Sequence, residues 1–186
     1  MPKFYTGNGD SGSTGLLGVA NVQKSNPIVS AIGDIDELNS SIGMARFYVH
    51  NEFVRKELTA IQNDLFSIGA MMASALAVNI PNKVVFGEEA TKRLEDAIAE
   101  MSSKLPELKE FVLPGGCEGS VHLHVSRAIA RRAERSLVAA AEIYKGKIDA
   151  NLIKYVNRLS SFLFAAALYL NNVEGIDEMH PVYRNK

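Results

Sequence analysis

Residues 27–49 read PIVSAIGDIDELNSSIGMARFYV. Ile28, Ile32, Ile35, Leu38, Ile42, Ala45 and Val49 recur in steps of three and four, so on a helix they form a single apolar stripe. Pro27 suits the first helical position, where its missing N–H costs little. The same period returns four times further along the chain. A second helix fits Asn51 to about Ala77 through Leu58, Ile61, Leu65, Ile68, Met72 and Leu76, and Asn79, Pro81 and Asn82 break it. A third runs from about Gly87 to Ser103 through Ala90, Leu94, Ala97, Ile98 and Met101, before Pro106 and FVLPGG (Phe111–Gly116) interrupt. A fourth covers about Glu118 to Tyr144 and is ended by Gly146; a fifth covers about Asp149 to Asn171, with Gly175 and Pro181 marking a tail. Strand signals are short and isolated, at Val84–Phe86 and Phe111–Leu113. The expectation is an all-α protein of one domain, a five-helix antiparallel bundle.

Composition narrows the function. Of 186 residues, 47% are hydrophobic and 22% charged, which is ordinary for a globular chain long enough for a sizeable core. The net charge of −1 gives no bulk attraction for nucleic acid or membranes, so an anion site must come from local clustering. Cys117 is the sole cysteine, which excludes an intramolecular disulfide; it reads as a small adaptable residue rather than a nucleophile. No signal peptide and no run of ~18 apolar residues is apparent, so a cytoplasmic location is expected.

The clustering is found in two places. The first is YTGNGDSGSTGLLG, Tyr5 to Gly18, which holds five glycines. Gly7, Gly9 and Gly12 spell G-x-G-x-x-G, a pattern that marks a dinucleotide turn only between a strand and a helix of a βαβ unit. Here six residues precede it and a helical pattern follows, so the Rossmann reading fails. A phosphate-binding loop remains, with N–H groups curled toward an anion and hydroxyls from Thr6, Ser11, Ser13 and Thr14. Tyr5 could stack or hydrogen-bond there, and Lys24 lies shortly downstream. The alternative is a loose terminus.

The second place is SRAIARRAERSLV. Arg127, Arg131 and Arg135 fall four apart on one helix face, which Glu134 joins. Like charges so placed repel unless they are solvated, or paired with an anion or a partner's carboxylates. Ala128, Ile129, Ala130 and Ala133 suit packing, and the planar arginine fork suits phosphate. In YVNRLSSFLF, Asn157 and Arg158 sit among apolar residues, as a buried network or as a binding pair. Asp34, Asp36 and Glu37 make an acidic helix start, which balances the dipole or meets the arginine face.

Together YTGNGDSGSTGLLG, GDIDELNSSIG, FVLPGG followed by RAIARRAER, and YVNRLSSFLFAAAL resemble the ATP:cob(I)alamin adenosyltransferases of the propanediol-utilisation type, in the family's order and over most of the chain. The resemblance implies a ferritin-like five-helix bundle with an ordered glycine-rich loop, assembled as a homotrimer with active sites between subunits. It implies transfer of the 5′-deoxyadenosyl group of ATP to the cobalt of cob(I)alamin, with release of triphosphate. Residues 1–26 would be the ATP-binding loop, 27–172 the bundle and 173–186 the tail. Thr6, Gly7, Asn8, Gly9, Ser13, Thr14 and Lys24 would wrap ATP. Arg131, Arg132, Glu134, Arg135 and Asn157 would complete the nucleotide site, with Glu134 near Mg²⁺. Asp36 and Arg127 match a salt bridge across the subunit interface, and Phe111 a phenylalanine that helps displace the lower ligand of cobalamin. A reductase and an adenosylcobalamin-dependent mutase are implied partners. The family usually has Lys or Arg where this chain has Gly7, and Lys3 and Lys24 are the candidate replacement cations.

Two rival readings are distinguishable. A di-iron bundle needs Glu-x-x-His pairs, but Glu118 and His122 are four apart and His122 and His124 two apart. His124 is expected to be packed or hydrogen-bonded, and His50 and His180 to lie on the surface. The other rival is a non-catalytic ATP or adenosylcobalamin sensor or carrier.

Overall fold

The structure is a computed structural model that describes residues 4–78 and 84–183; Lys3 and the breakers Asn79, Pro81 and Asn82 lie outside the described residues. Five helices dominate: α1 Pro27–Tyr48, α2 Glu52–Ser74, α3 Glu88–Ser102, α4 Glu118–Ile143 and α5 Ala150–Val173. Three of them, α1, α2 and α5, start where a short polar side chain satisfies an otherwise orphaned N–H group. Asn26 accepts from the Ile28 N–H at 2.9 Å, Asn51 from Val54 at 3.1 Å and Asp149 from Asn151 at 2.9 Å. The second helix stops at Ser74, short of the expected Ala77, and the fifth runs on to Val173.

The all-α expectation needs one correction. Part of the glycine-rich segment is a β-hairpin, β1 Ser13–Leu16 and β2 Val19–Gln23, paired antiparallel with Ser13 opposite Gln23 and Thr14 opposite Val22. The strands are too short to show an alternating pattern in the sequence. What makes the turn is Gly18, whose φ of +76° suits glycine. The hairpin is tied to the bundle by the Leu17 N–H, which donates to Ala73 O at 3.1 Å, and by Val22, which is buried. Neither Val84–Phe86 nor Phe111–Leu113 forms a strand.

The helices alternate in direction. Asn26 donates to the Tyr144 hydroxyl at 2.7 Å, and at the other end Tyr48 stacks on His122 with centroids 4.3 Å apart, so α1 and α4 run antiparallel. All five helices feed one core, with Ile28, Leu38, Leu65, Leu94, Leu137 and Phe162 fully buried. Burying one such side chain contributes about 1.5–3 kcal/mol, so the apolar stripes carry the stability.

A polar knot ties α2, α3 and α5. The buried Tyr155 hydroxyl donates to Asp64 Oδ2 at 2.7 Å, and Arg93 of α3 bridges Asp64 and Glu57 of α2. Burial, and then the Asp64 charge, push the Tyr155 phenol well above its ordinary pKa. Arg158 of α5 pairs with Glu95 of α3 at 2.9 Å, a partly exposed ion pair within the fold rather than the buried network that is one of the two alternatives its sequence leaves open. Asp64→Ala strands the Tyr155 hydroxyl and is expected to cost about 1–3 kcal/mol in urea unfolding. An unchanged midpoint would show the knot to be dispensable.

Candidate functional site

The arginine segment divides by helical geometry. Arg131 and Arg135 line an open cleft of about 500 Å³ with Glu134, Val138, Ala139, Glu142 and, from α5, Asn157. Asn157 Nδ2 donates to Glu134 Oε1 at 2.7 Å, which fixes the carboxylate, and Arg135 Nη1 donates to Arg131 O at 3.0 Å. One residue on from Arg131 is about 100° round the helix, so Arg132 turns to α1. Its Nε lies 3.2 Å from Asp34 Oδ1 and its Nη2 pairs with Glu37. The Glu37 bond in particular raises the Arg132 pKa, and Ser136 donates to Asp34 beside it. The carboxylates of the first helix therefore meet the arginine segment, through Asp34 and Glu37, but they are not a helix start: α1 begins at Pro27 and its first turn carries no acidic residue, so they do not balance its dipole. Asp36 is exposed and forms no ion pair among the described residues.

Arg127 lies apart from the cleft. Its guanidinium sits over the Phe164 ring, 5.7 Å from the centroid, and its Nε is buried without a hydrogen-bond partner. His124, one turn earlier, is 4% exposed; it packs edge-on to Phe164 at 6.0 Å, and neither ring nitrogen has a partner. It is packed rather than hydrogen-bonded, while His50 and His180 are exposed. Burial, and then the Arg127 charge, lower the His124 pKa.

The N-terminal segment is a structured loop running into the hairpin. Asp10 N–H donates to Gly7 O and Gly12 N–H to Gly9 O, both at 3.2 Å, and the Lys24 N–H closes the loop on Gly12 O at 2.9 Å. Thr6 Oγ1 accepts weakly from Asn8 N–H at 3.4 Å, and Ser13 and Thr14 begin β1. The Lys24 ammonium lies over Gly9, where an added Cβ would meet Nζ at 3.0 Å. A side chain at Gly9 would push that cation aside. Among the described residues, no hydrogen bond or ion pair joins this loop to the α4–α5 cleft.

At the opposite end of the bundle, Phe111 is 81% exposed. A second cleft of about 500 Å³ lies nearby, largely apolar, between α3, α5 and the C-terminal tail; Leu105, Leu108, Phe164, Leu168 and Ile176 help line it. Sequence reading missed Glu142, although it falls seven after Arg135 and so returns to the same face. It also missed this apolar cleft, whose walls come from distant segments. Among the described residues no cluster of three or more His, Cys, Asp or Glu could hold a metal, and no helix is long and apolar enough to cross a membrane.

Bundle, cation-lined cleft and glycine-rich loop define a helical protein equipped to hold an anion. The chain belongs to the cobalamin adenosyltransferase family, whose sequence profile matches residues 4–170. It is 39% identical to a corrinoid adenosyltransferase of Bacillus subtilis over 95% of this chain and 91% of that protein. It is 38% identical to the corrinoid adenosyltransferase MMAB of Mus musculus over 96% of this chain and 76% of that protein. Among solved structures, a variant of the PduO-type ATP:corrinoid adenosyltransferase from Lactobacillus reuteri, complexed with cobalamin and ATP, superposes with a TM-score of 0.89 at 36% identity, over 98% of this chain and all of that one.

The His124 environment sets a pH dependence. A depressed folded-state pKa means that the unfolded chain takes up the proton first. Stability is therefore full above about pH 6.5, the unfolded value, and falls as pH drops toward the lower folded value. Unfolding titrations from pH 7.5 to 5 should show this loss, and His124→Phe should flatten it. An equally steep loss in the variant would assign the dependence elsewhere.

Proposed function

We propose that this protein transfers the 5′-deoxyadenosyl group of ATP to the cobalt of cob(I)alamin, forming adenosylcobalamin and releasing triphosphate. The observation that carries the reading is the α4–α5 cleft, where Arg131 and Arg135 stand beside a fixed Glu134–Asn157 pair, in a chain of this family. Cobalt(I) attacks C5′ with its own electron pair; the Co–C bond forms as the C5′–O bond breaks, and the triphosphate leaves with the bonding pair. The nucleophile belongs to the substrate, so the protein needs no activated serine or cysteine. Cys117 fits that account, since burial raises its pKa and keeps it a thiol. The protein's part is to place the reactants and to meet the charge growing on the leaving group.

Arg131 and Arg135 are assigned to the phosphates. The loop of Thr6, Gly7, Asn8, Gly9, Ser13 and Thr14, with Lys24, is assigned to wrapping ATP. Lys24 already sits over that loop, so it is the described cation that can serve where the family has a basic residue at the Gly7 position. Arg132 is assigned to the support of the site, because α1 carboxylates engage it. Mg²⁺ commonly binds one or two carboxylates together with substrate phosphates. Glu134, with Glu142 beside it, offers that donor set and no closed cage. Bound there, the ion would neutralise triphosphate charge.

In this reading the loop and cleft of one chain do not face each other; they are completed by neighbours in a homotrimer of ferritin-like bundles. Arg127 with its buried unpartnered Nε and the unpaired Asp36 are what an intersubunit ion pair leaves in a single chain. The exposed Phe111 and the apolar cleft receive the corrinoid. An apolar ring under the corrin withholds a coordinating base or water from cobalt and eases its reduction.

The test is anaerobic, following loss of the cob(I)alamin absorbance band with Mg·ATP over many equivalents. ATP-dependent multiple turnover is expected; a single turnover or none, with ATP still bound, would replace the enzyme by a sensor or carrier. Arg131→Ala should cut turnover at least ~10²-fold, the scale of one lost electrostatic donor, and near-normal turnover would remove Arg131 from the mechanism. Asp36→Asn should weaken ATP use and loosen the oligomer in sedimentation. Unchanged kinetics with an intact trimer would dissolve the proposed pair.

A further inference from the structure

Phe111 sits in a segment without regular structure, yet the backbone around it is held from both ends. The holder at one end is Asn171, near the C-terminus of α5 and 1% exposed. Its Oδ1 accepts the Cys117 N–H at 3.0 Å; its Nδ2 donates to Gly115 O at 3.2 Å and to Glu178 Oε1 at 2.9 Å. Its backbone oxygen accepts from Ile176 N–H at 2.8 Å. Every polar atom of this buried amide is therefore committed, to the start of α4 and to the tail. Gly116 seals the fit: its φ is +109°, and an added Cβ would lie 2.0 Å from Asn171 Oδ1.

At the other end the tail does the holding. Leu113 N–H donates to Met179 O at 2.7 Å, and His180 Nδ1 lies 2.9 Å from the Phe111 carbonyl, with which it pairs as donor. Asn171 fixes the tail through Glu178, and the tail fixes Phe111 through His180. The Phe111 ring itself stays 81% exposed. The backbone is pinned and the ring is presented.

We propose that Asn171, Glu178 and His180 are positioning residues that act through the tail to set the Phe111 ring at the corrinoid, a role that rests on the placing of the corrinoid described above. Asn171 and His180 lie outside the α4–α5 cleft assigned to ATP, so their loss should affect the two substrates unequally. A loosened ring also searches more orientations, so less of the protein is poised to receive the corrin.

The experiment compares His180→Ala, His180→Asn, Asn171→Asp and Phe111→Ala with the unaltered protein, by steady-state kinetics in each substrate and by electron paramagnetic resonance of the cob(II)alamin complex with ATP. An asparagine amide nitrogen occupies the place of the imidazole Nδ1, so His180→Asn keeps the bond to Phe111 O that His180→Ala loses. Asn171→Asp keeps the acceptor for Cys117 but sets a carboxylate against Gly115 O and Glu178. Phe111→Ala should lose the four-coordinate cobalt(II) signal. His180→Ala and Asn171→Asp should weaken it and lower kcat/KM for the corrinoid roughly tenfold, the scale of one hydrogen bond, with KM for ATP within about twofold. His180→Asn should restore both readouts. His180 is on the surface, so its variants stay informative even where Asn171→Asp folds poorly. Loss of signal in Phe111→Ala with unaltered behaviour in His180→Ala and Asn171→Asp would overturn the positioning role and leave the corrinoid site standing. An unaltered signal in Phe111→Ala would overturn both. Equal losses toward ATP and corrinoid in His180→Ala would make the tail a general structural element and overturn the proposal.

Discussion

The arrangement depends on the angle between two adjacent arginines. Arg131 and Arg132 are separated by about 100° on α4, enough to send one outward and the other to α1. Arg132 engages Asp34 and Glu37, and this sets the rotation of α4 about its own axis. Partly exposed ion pairs of this kind add little net stability. The buried stripes supply that, and they would tolerate small rotations of a smooth, alanine-rich helix. The ion pair discriminates between those rotations. With Arg132 held inward, Arg131, Glu134 and Arg135 are obliged to share the outer face, and Arg127 is carried to Phe164.

That division explains both what the sequence revealed and what it hid. Helix positions were legible because each apolar stripe keeps one period from cap to cap, as from Asn26 to Val49. The grouping of Arg131, Glu134 and Arg135 was legible for the same reason, since it follows from spacing on one helix. Contacts that cross between helices were not. Nothing in the spacing says whether Asp34, Asp36 or Glu37 meets Arg132, because one turn in the body of α1 spreads the three carboxylates over most of its circumference. Nor could Arg158 be assigned until Glu95 was seen opposite it. The hairpin was missed because its strands run only four and five residues. Its formation rests on a glycine turn and on an anchor to Ala73 rather than on alternation.

The remaining charges separate satisfied groups from waiting ones. Arg93, Arg132 and Arg158 each have carboxylates within the chain, and each supports the fold. Arg131 and Arg135 lack any such ion pair among the described residues and border the same cleft. Two cations four residues apart on one helix face repel, less where water reaches them and least where something of opposite sign lies between them. Glu134 meets part of that need, but it is already engaged by Asn157. The triphosphate of the proposed function would meet the rest. The same reasoning applies to Arg127, with one difference. Its unpartnered nitrogen is buried, and leaving a buried donor unpaired costs more than leaving an exposed one. A small ligand that comes and goes is a poor remedy for a standing deficit of that kind. A permanent neighbour is a better one, which favours the proposed ligand role for the cleft arginines and the proposed interface role for Arg127.

Phe111 poses the opposite problem, an apolar ring left in water. Exposed apolar side chains are common and usually need no explanation. Here the surroundings make the case, because a loop with no regular structure is pinned by a fully bonded buried amide and by the tail. Ordering backbone costs roughly 1–2 kcal/mol per residue, and the folded chain recovers little of that from a ring left mostly in water. In the proposed function the order is repaid when the ring meets the corrinoid. The proposed corrinoid face and the proposed ATP cleft are thus built on different terms: the cleft from helical spacing that any α4 rotation would spoil, and the Phe111 end from hydrogen bonds between segments more than fifty residues apart in the chain.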